Sequence, residues 1–351
     1  MNLSMLAYAS PTGLGYQTKD FYDHIHPEKT LLVDLSRYNH MPIDPSWYPD
    51  ARISSWVNRD DIEWLCDEID TIFFAETPLE YGLIEYANNK GIRTVQQYNY
   101  EFLDYPRNPN LPRPTILAAP TSWNAHIVQE YGDVELLPVP INRERFPYRQ
   151  IEKCKTLLHI IGRPAVHDRN GTLAFLDAVE HYKNEFEYRV FLQTPQDARA
   201  IEFYEPVRKR LYELQQYIEI VENHDNPSYI YRSGDVLVMP RRYGGLCLPA
   251  QEALSSGLPV IMTDISPNYD LLPQEWLCDA TFSHKFHDHQ HTYYAHVNVD
   301  VYNPKTDSLI EIIDKFRDPS YMCSANHIAD QIAQQRSWQT LLPAYDRLLR
   351  Q

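Results

Sequence analysis

The sequence predicts an α/β chain of two lobes, each a parallel β-sheet covered by helices. Three observations lead there. The 351 residues exceed one ordinary domain and suit two. Short apolar runs alternate with helical stretches along most of the length, as in parallel strands joined by crossover helices. A passage containing Pro138, Pro140 and Pro147 interrupts that alternation, and proline breaks regular structure. Composition is ordinary for a globular chain, with 43% hydrophobic and 23% charged residues, so two sizeable cores are within reach.

In order along the first lobe, Leu3–Ala9 reads as a buried strand, followed by the turn Pro11-Thr12-Gly13-Leu14-Gly15 and a helix to about Ile25. Further strands are predicted at Leu31–Leu35, Thr71–Ala75, Arg93–Gln97 and Thr115–Ala118, with helices at Asp60–Ile69 and Glu80–Asn89. Leu136–Gln150 is the expected linker. The alternation then restarts with strands at Thr156–Ile161, Tyr188–Leu192, Ile218–Val221, Val236–Met239 and Val260–Thr263. Helices are expected at Leu173–Tyr182, Gln251–Ser256, Ile328–Gln335 and Leu341–Leu349. Both lobes therefore read as Rossmann-like, with domains expected at 1–145 and 151–335 and ligands beyond the carboxyl ends of the strands.

Charge and cysteine usage exclude several classes. A formal charge of −16 disfavours broad electrostatic binding to nucleic acid, although a local basic groove remains open. The cysteines Cys66, Cys154, Cys247, Cys278 and Cys323 are odd in number, widely spaced and contain no CxxC pair. They read as reduced thiols of a cytoplasmic protein rather than disulfides or a zinc site. The opening MNLSMLAYASPTG has no basic stretch before its short apolar run, so no leader is expected, and no apolar run is long enough to span a membrane. Twenty-six tyrosines are unusual; a ring with a polar tip suits sugar sites, but most are expected in packing roles.

The most informative stretch is Ser233–Asp264, SGDVLVMPRRYGGLCLPAQEALSSGLPVIMTD. A buried strand ends at Pro240. Tyr243-Gly244-Gly245-Leu246-Cys247 then forms a loop whose glycines let backbone approach a ligand closely. Pro249 suits the first turn of a helix carrying Glu252, and Gly257 ends that helix. A loop feeding a helix amino terminus offers free N–H groups and the positive dipole end to an anion such as a diphosphate.

This order of residues resembles the donor-binding signature of retaining GT-B glycosyltransferases, particularly family four, the glycosyl transferases group 1. Asp235, Val236, Pro240, Gly245, Leu248, Pro249, Glu252, Ala253, Gly257, Pro259 and Val260 match it. The resemblance implies a GT-B fold, two Rossmann-like domains facing each other across a cleft, and sugar transfer from a nucleotide sugar, UDP- or GDP-linked. It implies that Glu252 holds the ribose hydroxyls and that Gly245 to Leu248 face the phosphates and sugar. It also implies that no metal or other cofactor is required. One departure stands out: the family's first glutamate, which contacts the donor sugar, falls at Gly244. Arg241, Arg242 or Tyr243 could take over its role.

Supporting pieces keep the same order. Gly162-Arg163 follows a strand, with Asp168-Arg169-Asn170-Gly171 shortly after. The resemblance places Arg163, and more loosely Arg169, on the donor diphosphate as the catalytic cations. Gly13 and Gly15 form a GxG after the first strand, with Thr18 where a third glycine would stand, which disfavours a nicotinamide enzyme. In the family that loop faces the donor phosphates. Val139–Phe146 resembles the family's hinge, and the segment from Arg336-Ser337-Trp338 to 351 resembles the final helix that crosses back onto the first lobe.

The acceptor is not readable: a glycan, a small molecule or a modified DNA base all remain. Tyr98, Tyr100 and Glu101, with Asp104, form an acidic tyrosine turn that could line the acceptor side; Glu76 and Asp225 lie near strand ends and are weaker candidates. His284, His287, His289, His291 and His296 lack a fixed zinc spacing and read as a polar loop. Two other functions are compatible with the residues. One is a sugar-nucleotide or glycan binder that has lost activity, supported by Gly244; the other is a nucleotide-sugar epimerase on the same fold.

Overall fold

The computed structural model describes residues 2–39, 41–194, 198–224, 226–286 and 298–350. Asp225, His287, His289, His291 and His296 lie outside them. The chain forms two units. One comprises Met1–Pro140 and Trp338–Gln351; the other contains Ile141–Phe286 and Asn298–Ser337. The division falls after Pro140, ahead of the expected 145, because Ile141, Phe146 and Ile151 are apolar anchors buried in the second core.

The first unit holds seven strands: β1 (Leu3–Ala7), β2 (Lys29–Val33), β3 (Arg52–Ser54), β4 (Thr71–Glu76), β5 (Arg93–Tyr98), β6 (Ile116–Ala119) and β7 (Val134–Leu136). All pair in parallel, in the order β3-β2-β1-β4-β5-β6-β7. The five inner strands are buried on both faces, and two clusters form the core. Phe21 stacks on Phe73 on one side, while Leu6, Leu31, Ile72 and Phe74 lie on the other. Helices α1 (Gly13–Ile25), α2 (Ser36–Asn39), α3 (Arg59–Leu65), α4 (Gly82–Asn89) and α5 (Ala125–Val128) connect them.

The second unit holds β8 (Thr156–Gly162), β9 (Glu187–Leu192), β10 (Ile218–Glu222), β11 (Val236–Val238), β12 (Val260–Thr263) and β13 (Leu277–Cys278). They are again parallel, in the order β10-β9-β8-β11-β12-β13. Their helices are α6 (Thr172–Tyr182), α7 (Ala198–Glu213), α8 (Pro227–Arg232), α9 (Leu248–Ser255), α10 (Thr306–Lys315) and α11 (Pro319–Gln335). An antiparallel hairpin, β14 (Ala280–Phe286) with β15 (Val299–Pro304), follows the sheet. The last helix, α12 (Trp338–Arg350), returns to the first unit, where Trp338, Tyr345, Leu348 and Leu349 enter the core.

Both sheets start in the middle and reverse direction between their first and fourth strands. In such sheets a crevice opens at the reversal, outside the carboxyl ends of those two strands. In the second unit these strands are β8 and β11. Asp235 fixes their start: its Oδ2 accepts the N–H groups of Lys155 and Thr156, at 2.8 and 3.0 Å, so this motif carboxylate binds strand to strand.

Candidate functional site

The loops that leave β8 and β11 carry the candidate residues, and glycines bring them together. Gly162 ends β8 at φ +60° and turns the chain into Arg163, which is exposed. The loop is then tied down from two sides. Asn170 donates to the carbonyls of Ile160 and Ile161, at 3.2 and 3.0 Å. Asp168 accepts the N–H groups of Thr172 and Leu173, both at 2.9 Å, and so closes the amino terminus of α6. Gly171, at φ +70°, lies against the carbonyl of Pro240 so closely that a Cβ would overlap it. That contact joins the two loops and sets Arg169 beside the glycines after β11.

Arg169 and Arg241 converge on Gly244. A Cβ at Gly244 would lie 2.5 Å from Arg241 Nη2 and 2.7 and 2.9 Å from Arg169 Nη2 and Nε. Gly244 has φ +115°, a conformation that L residues rarely adopt. The backbone conformation disfavours a side chain at Gly244, and the two guanidiniums would have to shift to admit one. Arg241 is buried, and its Nη1 points to the carbonyls of Gly245 and Leu246 at 3.4 and 3.5 Å. The guanidinium of Arg169 lies 5.4 Å from the ring centre of buried Tyr243, which favours a cation by its negative face.

Arg242 fastens rather than faces a ligand. Its N–H donates to Arg169 O, and its guanidinium donates to the carbonyls of His167 and Tyr302 and to Asn303 Oδ1. The hairpin is thereby locked to both loops. Of the five histidines, His284 is described; it packs edge-on against His167 at 4.6 Å. Among the described residues, no group of three or more His, Cys, Asp or Glu is placed to hold a metal ion.

Loop residues Tyr243, Gly244, Gly245 and Cys247 are buried, while Leu246 and Leu248 are half-buried. They lead into α9, whose first turn contains Pro249 and whose cap residue Cys247 gives no side-chain hydrogen bond. The two helices at the strand reversal therefore differ: α6 is closed by its own carboxylate, and α9 presents an amino terminus without a side-chain cap. Glu252, on α9, is half-buried and accepts a hydrogen bond from the Tyr231 hydroxyl at 2.5 Å. Gly257 ends α9 at φ +84°.

The remaining candidates lie in the first unit. Gly13 opens α1, and Thr12 caps it by accepting the Gly15 N–H at 3.1 Å. Gly15 is buried, and a Cβ there would overlap the Ser10 carbonyl, so its smallness serves packing of the turn. Tyr98, Tyr100 and Glu101 are 2%, 6% and 4% exposed, which makes them interior side chains of the β5 end. Glu76 ends β4 at φ +69° and accepts from Asn99 Nδ2 at 3.3 Å.

Asp168 carries a pH signature. Burial pushes its carboxyl up to about 6, against the two amide hydrogen bonds that favour the ionised form. A carboxyl raised in the folded state binds its proton more tightly there than in the unfolded chain. Its contribution is therefore fully present below the ordinary value of 3.8 and is lost as pH rises through about 6. The stability of wild type relative to Asp168→Asn is expected to fall between pH 4 and pH 7, which urea denaturation at the two pH values checks.

Residues 155–281, from the start of the second sheet into β14, match the family described as glycosyl transferases group 1. Among solved structures, sucrose-phosphate synthase from Thermosynechococcus elongatus superposes with a TM-score of 0.70 at 12% identity, over 99% of this chain and 98% of that one. Anabaena HepE in complex with UDP gives 0.69 at 11% identity, over 99% of both chains. A glycosyltransferase from Rickettsia africae gives 0.68 at 10% identity, over 99% of this chain and 97% of the other. These likenesses show a GT-B fold. No curated protein matches the sequence. No described helix is long and apolar enough to cross a membrane.

Proposed function

From a chain that carries a glycosyltransferase domain of group 1 on a GT-B fold, we propose a retaining enzyme that moves a sugar from a UDP- or GDP-sugar to an acceptor hydroxyl. The observation that carries this reading is the closure of the β8 and β11 loops on each other. It puts the Arg169 guanidinium beside a glycine pair that runs into the open amino terminus of α9. The donor diphosphate takes its hydrogen bonds there, from Arg163, Arg169 and the amides of Gly245 to Leu248. Glu252 takes the ribose hydroxyls on the oxygen not used by Tyr231, since a carboxylate accepts several bonds at once. The HepE structures hold UDP, UDP with glucose, and UDP-glucose, which supports a uridine nucleotide.

In the transfer, the bond from the anomeric carbon to the phosphate oxygen breaks and the acceptor oxygen joins from the same face. The acceptor proton passes to the departing phosphate. Charge builds on the diphosphate as the bond lengthens, and fixed guanidiniums and amides stabilise it without reorganising. The arginines meet that charge, so the reaction as proposed draws on no metal ion. The five free cysteines support a reducing, cytoplasmic setting.

The test is calorimetric titration with UDP and GDP, followed by nucleotide release from a panel of nucleotide sugars. One nucleotide is expected to bind and one donor to be slowly hydrolysed, with Glu252→Gln weakening nucleotide binding about tenfold. Failure of both nucleotides to bind would sink the reading. Binding without hydrolysis or transfer of any donor would favour the inactive binder.

A further inference from the structure

Tyr231 belongs to α8 and takes no direct part in the transfer. We propose that it is a positioning residue. Resting on the reading that Glu252 takes the ribose, its hydroxyl holds that carboxylate in the orientation that selects a ribonucleotide over a 2′-deoxyribonucleotide.

The two side chains differ in freedom. Glu252 is half-buried on α9, and a glutamate turns about three bonds, so fixing it costs much of the rotamer freedom of a long polar side chain. Tyr231 is already fixed. It is 1% exposed, it belongs to the second core, and its ring meets Phe146 edge-on at 5.5 Å. Its helix is tied at both ends. Asn226 caps the first turn by accepting the Ser228 N–H at 3.0 Å, and the Ser233 carbonyl beyond the last turn accepts from Arg189 Nη1 at 2.6 Å. Packing and these ties therefore place the phenol oxygen independently of its bond to Glu252.

That oxygen donates to Glu252 Oε2 at 2.5 Å. Hydrogen bonds to a charged acceptor are short and strong. Burial, and then the Glu252 charge, hold the phenol well above its ordinary pKa, so it keeps its proton and stays a donor. The bond runs from a rigid group to a mobile one, so the mobile one is oriented by it. A ligand that meets acceptors already in place loses less freedom on binding. Ribose offers two neighbouring hydroxyls, and a carboxylate has lone pairs for both besides the one that Tyr231 uses. A 2′-deoxyribose offers one, and the carboxylate is still stripped of water to meet it. The discrimination requires a carboxylate that stays in place; one free to turn would follow the remaining hydroxyl.

The full chain is titrated with UDP and 2′-deoxy-UDP, and with GDP and 2′-deoxy-GDP. For the nucleotide that binds, the ribose form is expected to bind about ten- to hundredfold more tightly than the deoxy form. Tyr231→Phe deletes one oxygen and keeps the ring on Phe146, so its melting temperature should stay near that of wild type. It should weaken the ribonucleotide about three- to tenfold and the deoxynucleotide less, and so narrow the ratio. In Glu252→Ala nothing is left to position, so adding Tyr231→Phe should weaken the ribonucleotide no further. Equal weakening of both forms by Tyr231→Phe, an effect that adds to that of Glu252→Ala, or loss of the fold would each assign the hydroxyl to structure alone and overturn the proposal. Equal binding of both forms by wild type also overturns it, along with the ribose role of Glu252, and leaves the nucleotide site standing. Failure of both UDP and GDP to bind overturns the site reading and this inference with it.

Discussion

Replacing Arg169 by glutamine is expected to lower kcat/KM for donor turnover by about 10² to 10³-fold while the chain stays folded. The size follows from where the charge acts. The diphosphate is already anionic in the bound donor, so part of the loss reads as weaker binding. More charge develops on the leaving oxygen in the transition state, so kcat falls as well. Folding is not at risk to the same degree, because Arg169 is half-buried and the loop is held by the neighbouring side chains of Asp168 and Asn170. The check is nucleotide release across donor concentrations, with the melting temperature of the variant alongside. A loss confined to KM would mean that Arg169 binds donor and transition state equally and has no part in departure of the leaving group.

Gly171→Ala is expected to destabilise the protein by about 3 kcal/mol and to remove donor binding together with it. Two effects add. A positive φ of +70° strains an L residue by roughly 1 to 2 kcal/mol. The new methyl also meets the Pro240 carbonyl, which is backbone and cannot rotate away. The loops must then part, and Arg169 leaves Gly244. Gly162→Ala is the internal control. Gly162 has a similar φ, +60°, but nothing lies within 4 Å of its missing Cβ. It should show the strain alone, about 1 kcal/mol, with donor affinity kept. Urea denaturation and UDP titration of the two variants separate the effects; equal destabilisation would refute the role given to the Pro240 contact.

Much of this architecture was legible because buried parallel strands announce themselves as short apolar runs. Val260–Thr263 was read to the residue, and the expected first strand overran Leu3–Ala7 by two positions at its end. Among the strands that escaped, the hairpin pair Ala280–Phe286 and Val299–Pro304 is largely exposed or polar, and the others are short. Arg52–Ser54 and Val134–Leu136 lie at sheet edges and bury no residue, so they carry no apolar signal. Helix α7 escaped because its composition is polar and Pro206 sits inside it. In the site, the loop, Pro249 and Gly257 followed from local chemistry. The convergence on Gly244 did not, because it depends on a contact between Gly171 and Pro240 that no local rule contains. The partner of Glu252 was hidden for the same reason, since Tyr231 comes from the preceding helix. Tyr98, Tyr100 and Glu101 looked available because alternation cannot distinguish faces in a strand buried on both.

The final helix has a consequence for how the protein is made. Trp338, Tyr345, Leu348 and Leu349 complete a hydrophobic cluster begun by Leu3 and Met5, so the earlier residues wait for a much later stretch of the chain. Ile141–Phe286 and Asn298–Ser337 enclose the other core and do not depend on that delay. The first core therefore closes only once Trp338 and its neighbours are available, whereas the second closes without any segment from that helix.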